Sequence, residues 1–290
     1  MSEYSLQMDY NAQTEWSNLP MCLEMSAGGI FGGLFIASCL LEFAAGAIIA
    51  VLALLVIKGL LLLADLGRPA KAMKVLAKPG SSWVSKGAWG FMLFAIAAVI
   101  AVAPLVLTSL PWSPWQGVGQ IITVIACLLA AFQMVYDGFL LASSKGIAFW
   151  NTGNLPVLFG VSAVSGGVGM LMILAFCFGF AVADTLLIWV NLLVAIVLGL
   201  CLYSSIAQAK AGARGAQLSA GLLTKGGLAG LFKGGVVCLA VVVPLLIAAV
   251  GAFGLALPAL VWPVAGLAEV IAVITLRYAV LKAGMYSPVM

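Results

Sequence analysis

The sequence contains no histidine among its 290 residues, which removes much of the redox chemistry that a membrane chain could perform with its own side chains. Haem of the b type and most transition-metal sites depend on imidazole ligands. The six cysteines stand singly with no C-x-x-C pair, whereas iron–sulfur clusters need grouped thiolates. We therefore expect no haem and no metal in this chain. Any electrons that pass through it must be brought by another protein.

Charged residues are also scarce in this sequence. Only 8% of the residues are charged, against about a quarter in ordinary globular sequences, and the mean hydropathy is +1.23. This composition excludes a soluble domain and predicts an all-α integral membrane protein, because a helix of about 20 apolar residues crosses the hydrocarbon core. We predict eight transmembrane helices in two four-helix groups, at 21–41, 46–64, 87–107, 119–142, 156–180, 184–206, 234–256 and 262–281.

The predicted spans divide the chain into three parts. Residues 1–20 are acidic and aromatic, with no Lys or Arg, and so lack the basic and apolar regions of a secretory signal. We expect them to form a short interfacial tail. Residues 21–142 would form the first four-helix group and residues 143–290 the second.

Basic residues outside the spans fall on one predicted face of the membrane. The loops 65–86, 143–155 and 207–233 carry nearly all of them, and the loops on the other face carry none. The positive-inside rule predicts that this face and both termini are cytoplasmic. The 207–233 loop is expected to be flexible and featureless, with charges that can serve orientation or attraction to anionic lipid. The 65–86 loop contains D-x-x-R-P, Pro-Gly and S-S-W elements. Its sequence is more specific than a loop needs to be if its positive charges serve only orientation or lipid attraction.

Ionisable residues inside a span are costly and usually face the protein interior or a wet cavity. Glu24, Asp65, Arg68, Tyr136 and Asp137 all project toward the basic-loop end of predicted spans or directly beyond it. A quinone needs hydrogen-bond donors, an apolar trough and a group that exchanges protons. These residues supply the donor and the carboxylates. Asp65 and Arg68 could equally form an interfacial salt bridge that ends the second helix.

Two charges lie deeper in the predicted spans. Lys58 is roughly 10 Å from the basic-loop end of the second span, and Glu269 roughly 10 Å from the opposite end of the eighth. They could form an ion pair or two stations of a proton path. A transporter or ion pump is the competing interpretation, with Lys58, Glu269 and Asp184 as its working residues.

In the first span, the pairs Gly28/Gly32 and Gly29/Gly33 predict close helix packing.

Three stretches resemble the membrane subunits of the NrfD/polysulfide reductase family. LADLGRPAKAMKVLAKPGSSWVSKGAW resembles the L-G-R-P…P-x-S-S-W-x-S-x-G-x-W signature. YDGFLLASSKGIAFWNTGNLPVLFGVSAVSGG is similar to the Y-x-G-x-L-L…F-W-N…L-P-x-L-F segment, and EMSAGGIFGG resembles the glycine-rich opening of the first helix. These stretches cover the first five spans, whereas the last three match in length and character alone.

The resemblance implies an eight-helix, haem-free membrane anchor that binds menaquinone or ubiquinone. Such a subunit exchanges electrons with a ferredoxin-like four-cluster iron–sulfur subunit, itself attached to a catalytic molybdopterin subunit. Its expected partners are those two subunits and membrane lipid, with no nucleic acid. The resemblance supports Tyr136 as the ring-binding phenol and places Arg68 and its loop against the iron–sulfur partner. Docking there is expected to involve Arg68, Lys71, Lys74, Lys78 and Trp83.

The sidedness and the role of the pocket have alternatives. Many relatives serve partners outside the cytoplasm, on the face that carries the G-R-P loop. The charge pattern favours a cytoplasmic complex in the inner membrane, and a periplasm-facing complex is the alternative. Asn151 and Asn154 are weaker candidates for the quinone site, and Glu24 stands where the family often has a Tyr. A purely structural anchor with a degenerate pocket is the remaining interpretation.

Overall fold

Among the residues that the structure describes, eight helices are long and apolar enough to cross a membrane, which confirms the predicted fold class. The computed structural model describes residues 19–65, 80, 82–253 and 257–286, with only the backbone at 63–65. Most of the predicted interfacial tail lies outside these residues. The helices are α1 Leu19–Leu40, α2 at 44–65, α3 Trp83–Val106, α4 Gly117–Ala142, α5 Asn154–Phe178, α6 Asp184–Ala211, α7 Arg214–Thr224, α8 Leu231–Ala252 and α9 Val261–Lys282.

Two of the spans contain π-helical segments. In α2, Ala44–Ala53 is followed without a break by the π turn Leu54–Lys58 and by Gly59–Asp65. In α8, the π segment Leu231–Val242 precedes Val243–Ala252. Single π turns inside α-helices occur frequently at functional sites. The π turn of α2 ends at Lys58, one of the two deep charges predicted from the sequence.

The predicted span boundaries agree with the structure to within a few residues at most ends. Helix α3 begins at Trp83, four residues before its predicted start at residue 87. Ser82 caps this end, its hydroxyl oxygen accepting a hydrogen bond from the Ser85 backbone N–H at 3.2 Å. Helix α6 also continues five residues past its predicted end, to Ala211.

The 207–233 loop contains a helix, so the prediction that it is featureless is wrong. Helix α7 buries Gly215, Ala216, Ser219, Ala220 and Leu223, residues spaced three or four apart on one face. This face packs against α6 and α8. The hydrophobic stripe was hidden in the sequence because most of its members are small residues with little hydropathy of their own.

Side-chain contacts show which helix ends share a face. At one face the Trp150 indole donates to the Val280 carbonyl at 2.9 Å, which joins the start of α5 to the end of α9. At the other, the Trp262 indole donates to Asp184 Oδ1 at 2.9 Å, which joins the starts of α9 and α6. We call the first, which bears Lys145 and Lys282, the basic-loop face, and the second the opposite face.

Helices α1 and α5 form the centre of the bundle. Helix α1 contacts α2, α4, α5 and α9, and α5 contacts α1, α4, α6 and α9. Gly33 permits a close approach of α1 to α5, because a Cβ there would lie 2.5 Å from the Ala163 carbonyl oxygen and 3.0 Å from the Gly167 Cα. The G-x-x-x-G pattern of α1 therefore serves packing at this end, as the sequence predicts.

The distribution of polarity is that of a membrane protein. Large apolar side chains such as Leu40, Leu128 and Leu200 are more than half exposed on the outer surfaces of the spans. Charged side chains at 24, 58, 137, 269 and 277 are instead buried, each 8% exposed or less. Since buried charges in a bilayer are costly, their position in the interior is the feature that needs a functional explanation.

Candidate functional site

Four charged side chains from four different helices meet inside the bundle. Glu24 on α1, Lys58 on α2, Asp137 on α4 and Arg277 on α9 each lie five to seven residues from the helix end at the basic-loop face. At 1.5 Å per residue, all four Cα atoms are roughly 8–10 Å deep. We call these four residues the buried charge cluster. Two are acidic and two are basic, so the cluster has no formal net charge.

Lys58 lies between the two carboxylates of the cluster. Its Nζ atom is 2.8 Å from Glu24 Oε1 and 4.0 Å from Asp137 Oδ2, and its side chain is 2% exposed. Gly28 makes room for it, because a Cβ at that position would lie 2.6 Å from Nζ. The ion-pair partner of Lys58 is therefore Glu24, and the Lys58–Glu269 pair considered from the sequence does not form.

Arg277 supplies the second positive charge. Its side chain is fully buried, and its Nη2 donates to the Phe159 backbone carbonyl at 3.0 Å. The guanidinium carbon lies 3.6 Å from the centre of the Phe159 ring, a cation–π contact with α5. Arg277 also interacts electrostatically with Asp137 and Lys58. Its Nε and Nη1 have no hydrogen-bond partner among the described residues.

Tyr136 borders the cluster on α4. Its ring packs directly against Gly87 of α3, where any side chain would overlap it, and the residue is 8% exposed. Lys58 Nζ lies 6.0 Å from the ring centre. Within the described part of the chain, no hydrogen bond forms to the Tyr136 hydroxyl. This phenol is thus held next to the charges, against α3.

Several buried polar atoms around Tyr136 lack partners. Gln133, one turn earlier on α4, is fully buried, and neither its amide nitrogen nor its amide oxygen has a hydrogen bond to a described residue. Asp137 Oδ1 is also buried and has no hydrogen bond to a described residue. Buried polar atoms are nearly always paired, so a group of unpaired ones indicates a site that binds water or a ligand.

An apolar groove opens to the membrane beside the cluster, between α1, α2 and α9. Its volume is about 510 Å³. Leu23 and Ile57 line it, and each is the sequence neighbour of a cluster residue, Glu24 and Lys58 respectively. We call it the lateral groove. Its other lining residues are Ser26, Ala27, Ile30, Phe31, Leu60, Leu61, Met170, Val270 and Ile274.

The predicted docking residues are only partly described. Arg68, Lys71, Lys74 and Lys78 lie outside the described residues, and Asp65 is described only as the backbone end of α2. Trp83 begins α3 at the basic-loop face. Its ring stacks on Phe139 with centres 5.1 Å apart, and Lys86 Nζ lies 4.5 Å from the Trp83 ring centre.

Other predicted residues lie away from the cluster. The Asn151 amide donates to the Ala142 carbonyl at 2.6 Å, and the Asn154 amide lies 2.6 Å from Ser205 Oγ on α6, contacts that hold helix ends together. Asp184 binds the Trp262 indole at the opposite face. Glu269 contacts Ser165 of α5. The three residues proposed for a transporter, Lys58, Glu269 and Asp184, therefore do not form one site.

Two site residues were missed in the sequence. Arg277 is a basic residue inside the predicted eighth span, five residues before Lys282, and the rule that singled out Lys58 applies to it equally. Gln133 precedes Tyr136 by three residues, so the two share a helix face. Its uncharged amide in a long apolar span is a weaker signal, and only the packing shows that it is unpaired.

The comparisons with known proteins identify the family. A family model described as "Polysulphide reductase, NrfD" matches residues 40–288, which include α2 to α9. The chain belongs to the NrfD family. A comparison with curated proteins finds no match. The NrfD match extends over the last three spans, beyond the stretches that carry the sequence resemblance, but begins at the last residue of α1. Glu24 and the glycine-rich opening of α1 therefore lie outside it.

Proposed function

We propose that this chain is the quinone-binding membrane subunit of a respiratory oxidoreductase complex and that the quinone head group binds at the buried charge cluster. Membership of the NrfD family implies a multi-pass membrane subunit of a polysulphide reductase-like complex. The partners proposed on this basis are a ferredoxin-like iron–sulfur subunit, with which the bound quinone or quinol exchanges electrons, and a molybdopterin subunit that carries the catalytic centre.

The observation that carries the proposal is the group of unpaired polar atoms next to an apolar groove. The Gln133 amide and one oxygen of Asp137 are buried without hydrogen bonds to described residues, and Tyr136 lies between these two residues on α4. The lateral groove is lined by Leu23 and Ile57, the sequence neighbours of Glu24 and Lys58. A ligand with a polar ring and a long apolar tail satisfies both features at once. The donor set thus fits a membrane quinone.

The residues of the site divide into donors and proton-exchanging groups. A bound quinone supplies the two-electron, two-proton chemistry. The Tyr136 hydroxyl and the Gln133 amide can donate hydrogen bonds to ring oxygens. Glu24 and Asp137 are the carboxyl groups that can give or take a proton. Lys58 holds these two carboxyl groups on either side of its ammonium group, and Gly87 holds the Tyr136 ring in place.

The iron–sulfur partner is proposed to dock on the basic-loop face. The buried charge cluster is roughly 8–10 Å from that face, so a metal centre resting there could exchange electrons with a quinone without haem. Trp83, stacked on Phe139 at the start of α3, lies on this face, and the loop that carries Arg68, Lys71, Lys74 and Lys78 directly precedes it. The excess of basic residues supports a cytoplasmic orientation in the inner membrane. A complex that faces the periplasm is the alternative.

The test replaces one hydroxyl group. Tyr136→Phe in the assembled complex should lower quinol-linked turnover on the order of 100-fold, the scale expected when a hydrogen-bond donor to the reacting oxygen is lost. Dye-linked activity of the soluble subunits should be retained. Tyr203→Phe is the matched control, because Tyr203 is 75% exposed on the outer surface of α6. Quinol-linked turnover that is equal in the two variants would rule out the assignment.

Gly87→Ala provides a second variant that leaves the phenol intact. The added methyl group overlaps the Tyr136 ring and must displace it. We expect quinol-linked turnover to fall as in Tyr136→Phe, with dye-linked activity again unaffected. A loss of both activities would instead show that the helix pair, and not the ring position, has been disturbed.

A further inference from the structure

Glu269 is a buried carboxyl group that quinone binding at the cluster does not use. It lies on α9 eight residues before Arg277, roughly 12 Å deeper in the membrane. The residue is 1% exposed, and its Oε2 accepts a hydrogen bond from the Ser165 hydroxyl at 3.3 Å. Among the described residues it forms no ion pair. A carboxyl group at this depth with one neutral partner is costly, so a specific role should account for it.

The helices around Glu269 are built to accommodate it. A Cβ on Gly169 of α5 would lie 2.7 Å from the Gly266 carbonyl oxygen and 3.0 Å from Glu269 Cβ. One turn earlier, a Cβ on Gly166 would lie 3.0 Å from Val273 of α9. Glycines on α5 thus let the two helices approach closely along the line that leads from Glu269 toward Arg277.

Hydroxyl groups follow the same line between the two sites. The Ser162 hydroxyl and Arg277 Nη2 both donate to the Phe159 carbonyl, at 2.9 and 3.0 Å. Ser165 follows Ser162 on the same face of α5, roughly 4.5 Å further along the helix axis, and donates to Glu269. We call the line from Arg277 through Ser162 and Ser165 to Glu269 the polar seam. It starts at the buried charge cluster and runs between α5 and α9.

The polar seam is closed on the side of the opposite face. Val168, Met172, Leu187, Trp262 and Ala265 pack together there in an apolar cluster, each 8% exposed or less. The polar groups in this region are already engaged. The Asn191 amide donates to the Leu187 carbonyl at 2.8 Å, and the Asp184 carboxylate accepts from the Trp262 indole. The hydroxyl groups of Ser162 and Ser165 therefore lie between Glu269 and the cluster, whereas apolar side chains lie between Glu269 and the opposite face.

We propose that Glu269 is a proton-storing site that is loaded from, and discharged to, the buried charge cluster along the polar seam. One proton leaves a carboxylic acid of the cluster and passes along the hydroxyl groups, aided by transient water. It arrives on one oxygen of the Glu269 carboxylate. No electron moves and no covalent bond other than O–H changes. The site goes beyond quinone binding, because it would exchange protons whether or not a quinone occupies the cluster.

The experiment follows deuterium exchange at Glu269 by infrared spectroscopy of the purified full-length protein in lipid. The C=O band of the protonated Glu269 carboxyl is assigned by its loss in Glu269→Gln. The rate at which this band shifts after transfer to D₂O is then measured. We expect exchange in the wild type to be slowed about tenfold in the double variant Ser162→Ala/Ser165→Ala, the scale of one lost hydrogen bond. Leu200→Ala, 63% exposed on the outer surface of α6, should leave the rate unchanged.

Other results would overturn the proposal. They are the absence of any Glu269 carboxyl band over the pH range in which the protein is folded, equal exchange rates in the wild type and the double serine variant, or an equal slowing of exchange in Leu200→Ala. If Glu269→Gln does not accumulate, Glu269→Asp assigns the band by a frequency shift. The serine variants retain the carboxyl group in either case. Since no quinone is added, failure here is distinguishable from failure of the quinone assignment.

Discussion

Removing the positive charge between Glu24 and Asp137 should destabilise the fold more than any comparable change at the surface. Lys58→Met keeps most of the side-chain volume but leaves two buried carboxylates without the cation that lies 2.8 and 4.0 Å from them. Removing one partner of a buried ion pair typically costs about 3–5 kcal/mol, because the remaining charge is uncompensated. We expect a loss of this size in the free energy of unfolding, measured by titration of the protein in mixed micelles with sodium dodecyl sulfate.

A double-mutant cycle separates the ion pair from the packing of the side chain. Glu24→Gln removes one of the uncompensated carboxylates, so the double variant Lys58→Met/Glu24→Gln should lose less stability than the sum of the single variants. The expected coupling is about 0.5–3 kcal/mol. Lys145→Met is the matched control: Lys145 is exposed at the basic-loop face and its loss should change stability by less than about 0.5 kcal/mol. Additive losses, or equal losses at Lys58 and Lys145, would refute the reasoning.

Two further variants test the packing and the docking face. Gly33→Ala places a methyl group 3.0 Å from the Gly167 Cα and should cost about 1–3 kcal/mol in the same assay, whereas Gly234→Ala, which meets no atom within 4 Å, should not destabilise the protein. Equal effects would contradict the close α1–α5 crossing. Trp83→Ala should lower several-fold the amount of iron–sulfur subunit that copurifies with the chain, while Trp189→Ala, 62% exposed on α6, should not. Copurification that is unaffected by Trp83→Ala would remove it from the docking surface.

The spans could be predicted because the bilayer imposes a length and a composition on each of them. A run of about 20 apolar residues is visible without knowing its neighbours. Helix α7 was missed because its buried face consists mainly of Gly215, Ala216, Ser219 and Ala220, which carry little hydropathy signal. The early start of α3 depends on the Ser82 cap, and a local cap moves a helix end by more than an apolar count resolves.

The site could be predicted as a set of residues but not as an arrangement. Charge within a span is enough to single out Glu24, Lys58 and Asp137. The sequence does not show which helices are neighbours, so the pairing of Lys58 with Glu24 rather than Glu269 could not be inferred. That pairing depends on the space left by Gly28 at the crossing of α1 and α2. Arg277 could have been predicted by the same reasoning, because it is a charged residue inside the last span.

Covalent labelling tests whether the quinone head group binds at the buried charge cluster. An azidoquinone would be photoactivated in the purified complex, and the labelled peptides identified by mass spectrometry. Label is expected on α1 near Glu24 and on α4 near Tyr136, with protection by excess unlabelled quinone. A second apolar pocket, of about 320 Å³, is lined by Leu40 of α1 and Leu186 of α6 near the opposite face. Protected labelling at that pocket, with none near Tyr136, would show that the head group does not bind at the buried charge cluster.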